Sequence, residues 1–222
     1  MNIIEILQLC DHTLLKKTAK KEDIINLCEE GIKYNTASVC IPPSYVKFAK
    51  DYVKDKLKIC TVIGFPNGYS TTETKCFETA NAIKNGADEI DMVINLGWVK
   101  EKEFDLILSE INKVKEICGN KILKVIVETC LLSEEELIKL CDIVTTSDAD
   151  FIKTSTGFDF DGARKRDIET MALYMGPEKG IKAAGGINSI DDAEDFIELG
   201  ATRLGTSRIV KLVKKYKLVG DE

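Results

Sequence analysis

Two lysines lie where a charged side chain is unexpected. Lys153 and Lys182 each follow a short apolar run and precede small residues and glycine. This context is typical of a strand that ends at a loop. The two positions are 29 residues apart, about the length of one strand–helix unit. Neighbouring parallel strands would therefore direct both side chains into one cavity.

A lysine with a second ammonium nearby can act as a nucleophile. A free lysine has a pKa of about 10.4, so roughly one in 2,500 is neutral at pH 7. Two charges about 4 Å apart repel by roughly 4 kcal/mol at an effective dielectric of about 20, which lowers a pKa by roughly three units. The neutral amine that results can form a Schiff base with an aldehyde. The alternative interpretation is a pair of surface lysines at the rims of a barrel.

The composition is that of an ordinary globular protein. Its 222 residues are 44% apolar and 31% charged, which predicts one large domain over residues 1–222. The net charge of −6 argues against a nucleic-acid partner. The longest apolar stretches fall short of a membrane span, and Met1–Glu5 lacks the features of a signal peptide. We expect a cytoplasmic protein without a membrane partner.

The eight cysteines do not form a metal or disulfide pattern. Their closest spacing is eleven residues, and the chain has one histidine, so no zinc site is expected. Most lie in apolar surroundings and are interpreted as small buried hydrophobic residues in a reducing cytosol.

Short apolar strands alternate with longer amphipathic helices along the chain. The predicted strands are 9–13, 37–41, 58–63, 89–94, 122–127, 151–153, 181–183 and 202–205. The predicted helices include 22–34, 72–85, 104–118, one that begins with a capping box at Ser133, 189–199 and 211–215. This pattern predicts an α/β protein, a single (β/α)8 TIM barrel. A doubly wound open sheet is the alternative, but no G-x-G-x-x-G or P-loop pattern is present.

Polar residues within the predicted strands are candidates for a site at the carboxyl ends of the barrel strands. Asp91 interrupts an apolar run, and a buried carboxylate requires a cation or hydrogen bonds. Alternation places Lys124 on the side of Ile126 and Glu128, opposite Leu123, Val125 and Val127, and an inward Lys124 near Asp91 would balance the charge of that carboxylate. Asp91 is then either a proton relay or an aspartate held by backbone amides or a core lysine, and Lys124 is either part of that relay or a structural ion pair.

The first two predicted strands add three weaker candidates. Asp11 and Thr13 either cap a turn or contribute to the site. His12 alternates away from Asp11 and is interpreted as a structural contact. Cys40 ends the second strand, where packing and contact with a substrate are equally compatible with its position.

Glycines follow the last three strands, where barrel enzymes often bind phosphate with backbone amides and a helix N-terminus. They are Gly157 after the sixth strand, Gly185 and Gly186 after the seventh, and Gly205 beside Ser207 at the eighth. The basic run Arg164–Arg166 could attract an anion, although the start of a solvated helix fits it better.

These segments together resemble the deoxyribose-phosphate aldolase family of class I, Schiff-base aldolases. The matching segments run in order along nearly the whole chain: Asp11–Leu15, Ala37–Cys40, Val62–Pro66, Gly86–Asn95, Leu123–Thr129, Phe151–Gly157, Lys182–Gly186 and Gly205–Ser207. The resemblance implies reversible cleavage of 2-deoxy-D-ribose 5-phosphate to acetaldehyde and D-glyceraldehyde 3-phosphate in deoxyribose phosphate catabolism, without a metal or other cofactor.

The resemblance also implies residue roles. Lys153 corresponds to the Schiff-base lysine, and Asp91 to the proton-shuttling carboxylate. Lys182 corresponds to the second lysine, whose charge favours loss of the proton of Lys153. Supporting roles fall to Asp11 and Lys124, substrate contacts to Thr13, Cys40 and Thr154, and phosphate binding to Gly157, Gly185, Gly186 and Ser207. A homodimer or higher homo-oligomer is a further expectation.

Two segments depart from the family pattern. Arg208 replaces a small residue, and it would either strengthen the hold on phosphate or obstruct it. Residues 159–164 are more acidic and bulkier than the usual loop, which concerns substrate affinity more than the covalent chemistry. The rival interpretations are another Schiff-base aldolase or transaldolase on the same fold, and a catalytically silent barrel that binds phosphosugars.

Overall fold

Eight parallel strands close into a barrel in the computed structural model, which describes residues 1–219. The strands follow one another around the barrel in chain order, and the eighth pairs with the first. They are β1 (Cys10–Thr13), β2 (Ser38–Ile41), β3 (Ile59–Ile63), β4 (Glu89–Val93), β5 (Ile122–Ile126), β6 (Phe151–Lys153), β7 (Gly180–Ala184) and β8 (Arg203–Thr206). The predicted (β/α)8 barrel is confirmed, and the open sheet is excluded.

Helices connect the strands and cover the outside of the barrel. They are α1 (Ile3–Gln8), α2 (Lys21–Lys33), α3 (Val46–Val53), α4 (Thr72–Lys84), α5 (Leu96–Lys100), α6 (Phe104–Cys118), α7 (Glu134–Thr146), α8 (Lys165–Tyr174), α9 (Ile190–Glu198) and α10 (Ile209–Tyr216). Short 3₁₀ helices span Pro43–Tyr45 and Thr129–Leu131. Ser133 caps α7 with the predicted capping box, in which its side chain accepts from the amide of Glu136.

The predicted strand bounds are correct to within one residue, and the predicted helices to within two. The extents of four helices were not predicted: α1, α3, α5 and α8, of which only the start of α8 was anticipated. Three of these have eight residues or fewer, so few turns are available to show a period. Helix α8 begins at Lys165, which confirms the interpretation of Arg164–Arg166 as a helix start. The predicted polar tail extends to residues 220–222, which lie outside the described part of the chain.

Strand alternation separates an apolar layer from a polar barrel interior. In β4, Ile90 and Met92 belong to the apolar core that packs between strands and helices. Glu89 and Asp91 point to the opposite side, into the barrel, and both are fully buried. Among residues 1–219, no helix has the length and apolar character of a membrane span. The barrel therefore keeps its hydrophobic packing outside and leaves its interior for charged side chains.

Candidate active site

A cluster of charged side chains fills the interior of the barrel, and we call it the barrel cluster. Its carboxylates come from β1 and β4, and its cations come from the last four strands. The members are Asp11, Glu89, Asp91, Lys124, Lys153, Lys182 and Arg203. Every one of these side chains pairs with a member of opposite charge, as buried charges require.

Asp91 is the centre of the barrel cluster. Its Oδ2 accepts hydrogen bonds from Nζ of Lys153 and from Nζ of Lys182, both at 2.7 Å. Its Oδ1 accepts from Nζ of Lys124 at 2.9 Å and from the Cys60 thiol at 3.2 Å. Lys124 therefore points inward toward Asp91, as strand alternation predicts. Because both contacts are to one oxygen, the Nζ atoms of Lys153 and Lys182 are no more than twice 2.7 Å apart.

Asp11 holds the other side of Lys182. The Lys182 ammonium donates to Oδ2 of Asp11 in a short hydrogen bond. Oδ1 of Asp11 accepts from Arg203 at 2.7 Å and from the Ser38 hydroxyl at 2.8 Å. Lys182 thus lies between two carboxylates, and its position in the barrel is fixed from both sides.

These contacts determine which groups stay ionised. Burial alone raises the pKa of Asp91, but the ammonium groups of Lys124, Lys153 and Lys182 outweigh it and hold that pKa well below its usual range. Burial alone lowers the pKa of Lys182, but Asp11 and Asp91 outweigh it and raise that pKa above the usual lysine range. In the site without substrate, Lys182 is therefore charged and Asp91 ionised at neutral pH.

The barrel cluster carries one more positive charge than negative when all its members are ionised, with four cations against three carboxylates. Glu89 accepts contacts from Lys124 at 2.6 Å and from Arg203 at 3.1 Å, so it belongs to the same network. Lys153 is 3% exposed, whereas Lys124 and Lys182 are fully buried. Lys153 is therefore the lysine of the barrel cluster that a substrate can reach.

A cavity of about 280 Å³ opens above Lys153 at the carboxyl ends of the strands, and we call it the substrate cavity. Its cations are Lys16, Lys153 and Arg208, and among the described residues that line it there is no carboxylate. The other lining residues are Thr13, Leu14, Leu15, Thr156, Gly157, Phe158, Ala184, Gly185, Gly186, Ile187, Asn188, Gly205, Thr206 and Ser207. In a protein of net charge −6, this lining favours an anionic ligand.

The structure divides the candidates from the sequence into two groups. The first group lines the substrate cavity and consists of Thr13, Lys153, Gly157, Gly185, Gly186 and Ser207. The second group lies beneath it, fully buried, and consists of Asp11, Asp91, Lys124 and Lys182. The structure therefore brings a reachable amine, a buried set of charged side chains and a glycine-rich rim into one place.

Thr154 and Cys40 differ from the expectation that they contact the substrate. The hydroxyl of Thr154 donates to the carbonyl of Ala184 at 3.1 Å and accepts from its amide at 3.0 Å, so this fully buried side chain joins β6 to β7. Cys40 is also fully buried, and it packs with Cys60 and Val62 beneath Leu15 and Phe65. Neither residue lines the substrate cavity.

Gly205 makes room for Lys182. A Cβ at position 205 would lie 3.1 Å from Cε of Lys182 and 2.9 Å from Cβ of Ala184. Glycine is therefore needed at this point of β8 for the lysine side chain to cross the barrel toward Asp91.

Sequence reasoning missed a contact that shapes the loop after β6. Glu128 is buried, with the positive φ of 53° that non-glycine residues rarely adopt. Its carboxylate accepts from the amide of Thr156 at 3.1 Å and from the Thr156 hydroxyl in a short hydrogen bond. Burial raises the pKa of Glu128. The contact fixes the segment that carries Gly157 at the rim of the substrate cavity.

Phe158, which directly precedes the departing residues 159–164, lines the substrate cavity, whereas the acidic residues of that segment lie outside the lining. Phe158 lines the cavity and packs edge-on against Phe65, with ring centroids 5.3 Å apart. Asp159 and Asp161 are absent from the described lining. The acidic residues of 159–164 therefore add no carboxylate to the lining around Lys153. Arg208, the other departure, does line the cavity.

The single histidine and the cysteines make structural contacts. His12 points away from the barrel interior and its Nε2 donates to Glu30 of α2 at 2.8 Å. All eight cysteines are free thiols. Two triads, Cys40–Cys60–Asp91 and Asp11–Cys60–Glu89, have ligand atoms close enough for a cation. Their carboxylates, however, already pair with lysine and arginine, and burial raises the pKa of the Cys60 thiol well above its ordinary value.

Comparison with known proteins agrees with this geometry. Residues 5–203 match the family model described as DeoC/LacD family aldolase. The deoxyribose-phosphate aldolase of Streptococcus agalactiae is 60% identical over 218 residues, which cover 98% of both chains. That of Streptococcus pyogenes serotype M12 is 59% identical over 221 residues, covering 100% of this chain and 99% of the relative.

A solved structure extends the similarity to the fold. The deoxyribose phosphate aldolase of Aeropyrum pernix, described as having a unique tetrameric structure, superposes with a TM-score of 0.90 at 30% identity. The alignment covers 97% of this chain and 92% of that one. On the match of the family model and of these relatives over nearly its whole length, the chain belongs to the DeoC/LacD family of aldolases.

Proposed function

We propose that this protein is a class I aldolase that cleaves 2-deoxy-D-ribose 5-phosphate reversibly to acetaldehyde and D-glyceraldehyde 3-phosphate through a Schiff base on Lys153. One observation carries the proposal: the only lysine of the barrel cluster that lines the substrate cavity shares an Asp91 oxygen with the ammonium of Lys182. The similarity to deoxyribose-phosphate aldolases supports the choice of substrate.

The surplus positive charge of the barrel cluster activates the amine. A neutral Lys153 leaves three cations and three carboxylates in the barrel, so its deprotonation brings the buried charges into balance. Lys182 keeps its proton, since Asp11 and Asp91 raise its pKa. Lys153 is therefore the nucleophile, and Lys182 is the fixed charge that favours its neutral form.

The reaction begins when Nζ of Lys153 adds to the aldehyde carbon, C1 of the open-chain sugar. The carbinolamine loses its hydroxyl as water with the help of a proton from the cluster, and a protonated imine forms. Asp91 lies within hydrogen-bond distance of Lys153 and of Lys182, so it is placed to pass that proton.

Cleavage follows when a base takes the proton of the C3 hydroxyl. The C2–C3 bond breaks, C3 becomes the aldehyde of D-glyceraldehyde 3-phosphate, and the bonding pair moves to C2 to form an enamine. The protonated imine accepts these electrons, which is why the proposed step requires no metal. Asp91, held as a carboxylate by three ammonium groups, relays the proton.

The enamine is then protonated at C2, and water hydrolyses the new imine. This step releases acetaldehyde and returns Lys153 to its amine form. One carbon–carbon bond has been broken, the water lost on imine formation has been regained, and no redox change has taken place.

The phosphate of the substrate is assigned to the rim formed by Gly157, Gly185, Gly186 and Ser207. These residues lie together around the substrate cavity, and Ser207 lies two residues before α10, whose N-cap is Arg208. Arg208 and Lys16 add positive charge at the same place. The arrangement would hold an anion at one end of the cavity while the aldehyde reaches Lys153 at the other.

The wider setting follows from the proposed reaction. We assign the enzyme to deoxyribose phosphate catabolism in the cytoplasm, with a small phosphorylated sugar as its partner and no nucleic acid, membrane or cofactor. Assembly into a homo-oligomer is part of the proposal, supported by the tetrameric relative from Aeropyrum pernix.

Borohydride trapping tests the proposal. Protein incubated with 2-deoxy-D-ribose 5-phosphate and sodium borohydride should be irreversibly inactivated, because hydride reduces the imine to a stable secondary amine. Peptide mass spectrometry should place the adduct on Lys153. An adduct with a different donor aldehyde but none with this substrate would indicate another Schiff-base aldolase. The absence of an adduct at any lysine would contradict the enzymatic proposal.

A further inference from the structure

Two members of the barrel cluster lie at the amino ends of their strands, on its lower side. Arg203 begins β8 and Glu89 begins β4. The guanidinium of Arg203 lies 3.1 Å from Oε2 of Glu89 and 2.7 Å from Oδ1 of Asp11. Its other face lies against the ring of Phe151, 5.5 Å from the ring centre. Both residues lie on the side of the barrel cluster away from the substrate cavity, so neither contacts the substrate.

A continuous set of contacts joins this pair to the nucleophile. Arg203 binds Asp11, Asp11 binds Lys182, and Lys182 shares the oxygen of Asp91 with Lys153. On the other side, Glu89 binds Lys124, which also binds Asp91. The pair is therefore in electrostatic contact with Lys153 through both carboxylates that surround Lys182.

We propose that Arg203 and Glu89 are positioning residues that set the number of protons held by the barrel cluster, and thereby the pH at which Lys153 becomes a nucleophile. The inference deepens the proposed function and rests on it. With Arg203 present, the fully protonated barrel cluster has one surplus cation, and Lys153 can release a proton to reach neutrality. Without Arg203, the charges balance with Lys153 still protonated.

The charge count includes the groups that face Lys153 from every strand. They are Asp11 of β1, Cys40 of β2, Cys60 of β3, Glu89 and Asp91 of β4, Lys124 of β5, Lys182 of β7 and Arg203 of β8. Glu128, which follows β5, also interacts electrostatically with Lys153, and burial raises the pKa of this carboxyl, which favours its neutral form. Burial keeps the Cys60 thiol neutral by raising its pKa. A hydrogen bond between the two thiols lowers the pKa of Cys40, so a Cys40 thiolate is a further charge to test.

The register of the strands sets the size of the effect. Lys153, Lys182 and Arg203 are register partners across β6, β7 and β8, so two strand spacings, about 10 Å, separate the first from the third. One charge at that distance shifts a titration by about one pH unit at an effective dielectric of about 20.

The test is the acid limb of kcat/KM against pH, which reports ionisation in the free enzyme. Arg203→Met should move this limb up by about one pH unit, and Glu89→Gln should move it down by a similar amount. The double variant Arg203→Met/Glu89→Gln removes one charge of each sign and should return the limb to its original position. Arg203→Lys, which keeps the charge, should also leave it in place.

Controls separate charge from folding. Arg166→Met removes an exposed arginine of α8 outside the barrel and should leave the limb unchanged. Cys40→Ser should also leave the acid limb unchanged. A shift of the limb in this variant would show that a Cys40 thiolate must be added to the charges of the barrel cluster. If Arg203→Met fails to fold, the downward shift of the acid limb expected for Glu89→Gln tests the proposal. A limb that does not move in either direction, or that moves equally in Arg203→Met and the double variant, overturns the proposal.

Reductive alkylation of Lys153 distinguishes this inference from the proposed function. Its rate with formaldehyde and cyanoborohydride depends on the free amine and needs no aldol cleavage, and peptide mass spectrometry measures it at each pH. An inactive protein whose Lys153 alkylation still shifts with Arg203 and Glu89 would sink the aldolase assignment and retain the charge count. An active aldolase whose Lys153 alkylation does not shift would retain the aldolase assignment and overturn the charge count.

Discussion

Lys153 and Lys182 pair in register across β6 and β7, and both ammonium nitrogens lie 2.7 Å from the same oxygen of Asp91. Two ammonium groups this close would repel strongly in a dry cavity, but the carboxylate between them offsets part of that repulsion. The pair is therefore more than two crowded amines. It belongs to a barrel cluster in which four cations face three carboxylates.

Replacement of Lys153 by arginine should abolish the reaction. Arginine keeps the positive charge but cannot become a neutral amine at accessible pH, so no imine forms. We expect kcat to fall by about 10³-fold or more, and no borohydride adduct should be found at position 153. Lys47→Arg, at an exposed lysine paired with Asp51, is the matched control and should keep full activity. Residual activity above about one tenth of the original would contradict the assigned nucleophile.

Lys182→Met should shift the pH dependence of activity to higher pH. Asp11 and Asp91 raise the pKa of Lys182, so this ammonium persists through the whole assay range and its charge acts at every pH. Without it, three cations balance three carboxylates, and Lys153 retains its proton to higher pH. We expect the acid limb of kcat/KM to rise by about two units, since the two nitrogens are roughly 5 Å apart.

Circular dichroism should show whether the Lys182→Met variant remains folded, because Asp11 and Asp91 lose a partner. A folded variant with low activity and an unchanged limb would assign Lys182 a role other than charge.

Arg208→Ser should weaken the binding of a phosphorylated substrate and leave the chemical step intact. Arg208 lines the rim of the substrate cavity beside Ser207, where a phosphate would lie. A charge-assisted contact of this kind is worth about 1–2 kcal/mol, so KM should rise by roughly 5- to 30-fold with little change in kcat. Unphosphorylated 2-deoxy-D-ribose provides the comparison, because its kcat/KM should be the same in both proteins. A lower KM in the variant would show that Arg208 obstructs the phosphate.

Period-two alternation predicted the inward side chains wherever a charge interrupted an apolar strand. Asp91 and Lys124 stood out for this reason, and the structure places them 2.9 Å apart. The same rule applied to Thr154 would have directed it away from the cavity, since it follows the inward Lys153. Its expected contact with the substrate came from the family resemblance, and the two hydrogen bonds to Ala184 provide a structural role instead.

Arg203 and Glu89 were missed because each begins its strand, where a charged residue is usually solvated. Only closure of the barrel brings β8 next to β1 and turns these ends inward. Alternation gave one indication of an inward side chain, because Glu89 lies on the same face of β4 as Asp91. Pairing between Arg203 and Glu89, from strands far apart in the chain, requires the coordinates.

Lys75 and Glu110 form a second buried ion pair, between α4 and α6, whose removal should affect stability. Nζ of Lys75 lies 2.8 Å from Oε2 of Glu110 and 2.8 Å from the carbonyl of Val93, at the end of β4, and both side chains are fully buried. Lys75→Met should lower the free energy of unfolding by about 3–5 kcal/mol, because it leaves Glu110 buried without its cation. Urea unfolding measures the change.

The double variant Lys75→Met/Glu110→Leu should recover most of this loss, since it removes both charges. Equal destabilisation of the single and double variants would show that the carbonyl contact, and not the unpaired carboxylate, dominates.

Glu30→Gln should reduce the dependence of stability on pH in acid. Hydrogen bonds from His12 and Lys214 outweigh burial and lower the pKa of Glu30 to about 2, whereas an unfolded glutamate titrates near about 4.3. A lowered pKa in the folded state stabilises the protein above the unfolded pKa, and this stabilisation is lost as the pH falls through the folded pKa. Glu30 therefore contributes fully above about pH 4.3 and progressively less down to about pH 2. Urea midpoints of the two proteins should differ at pH 6 and converge in acid, with Glu29→Gln as the neighbouring control; a difference that stays constant with pH would contradict the assignment.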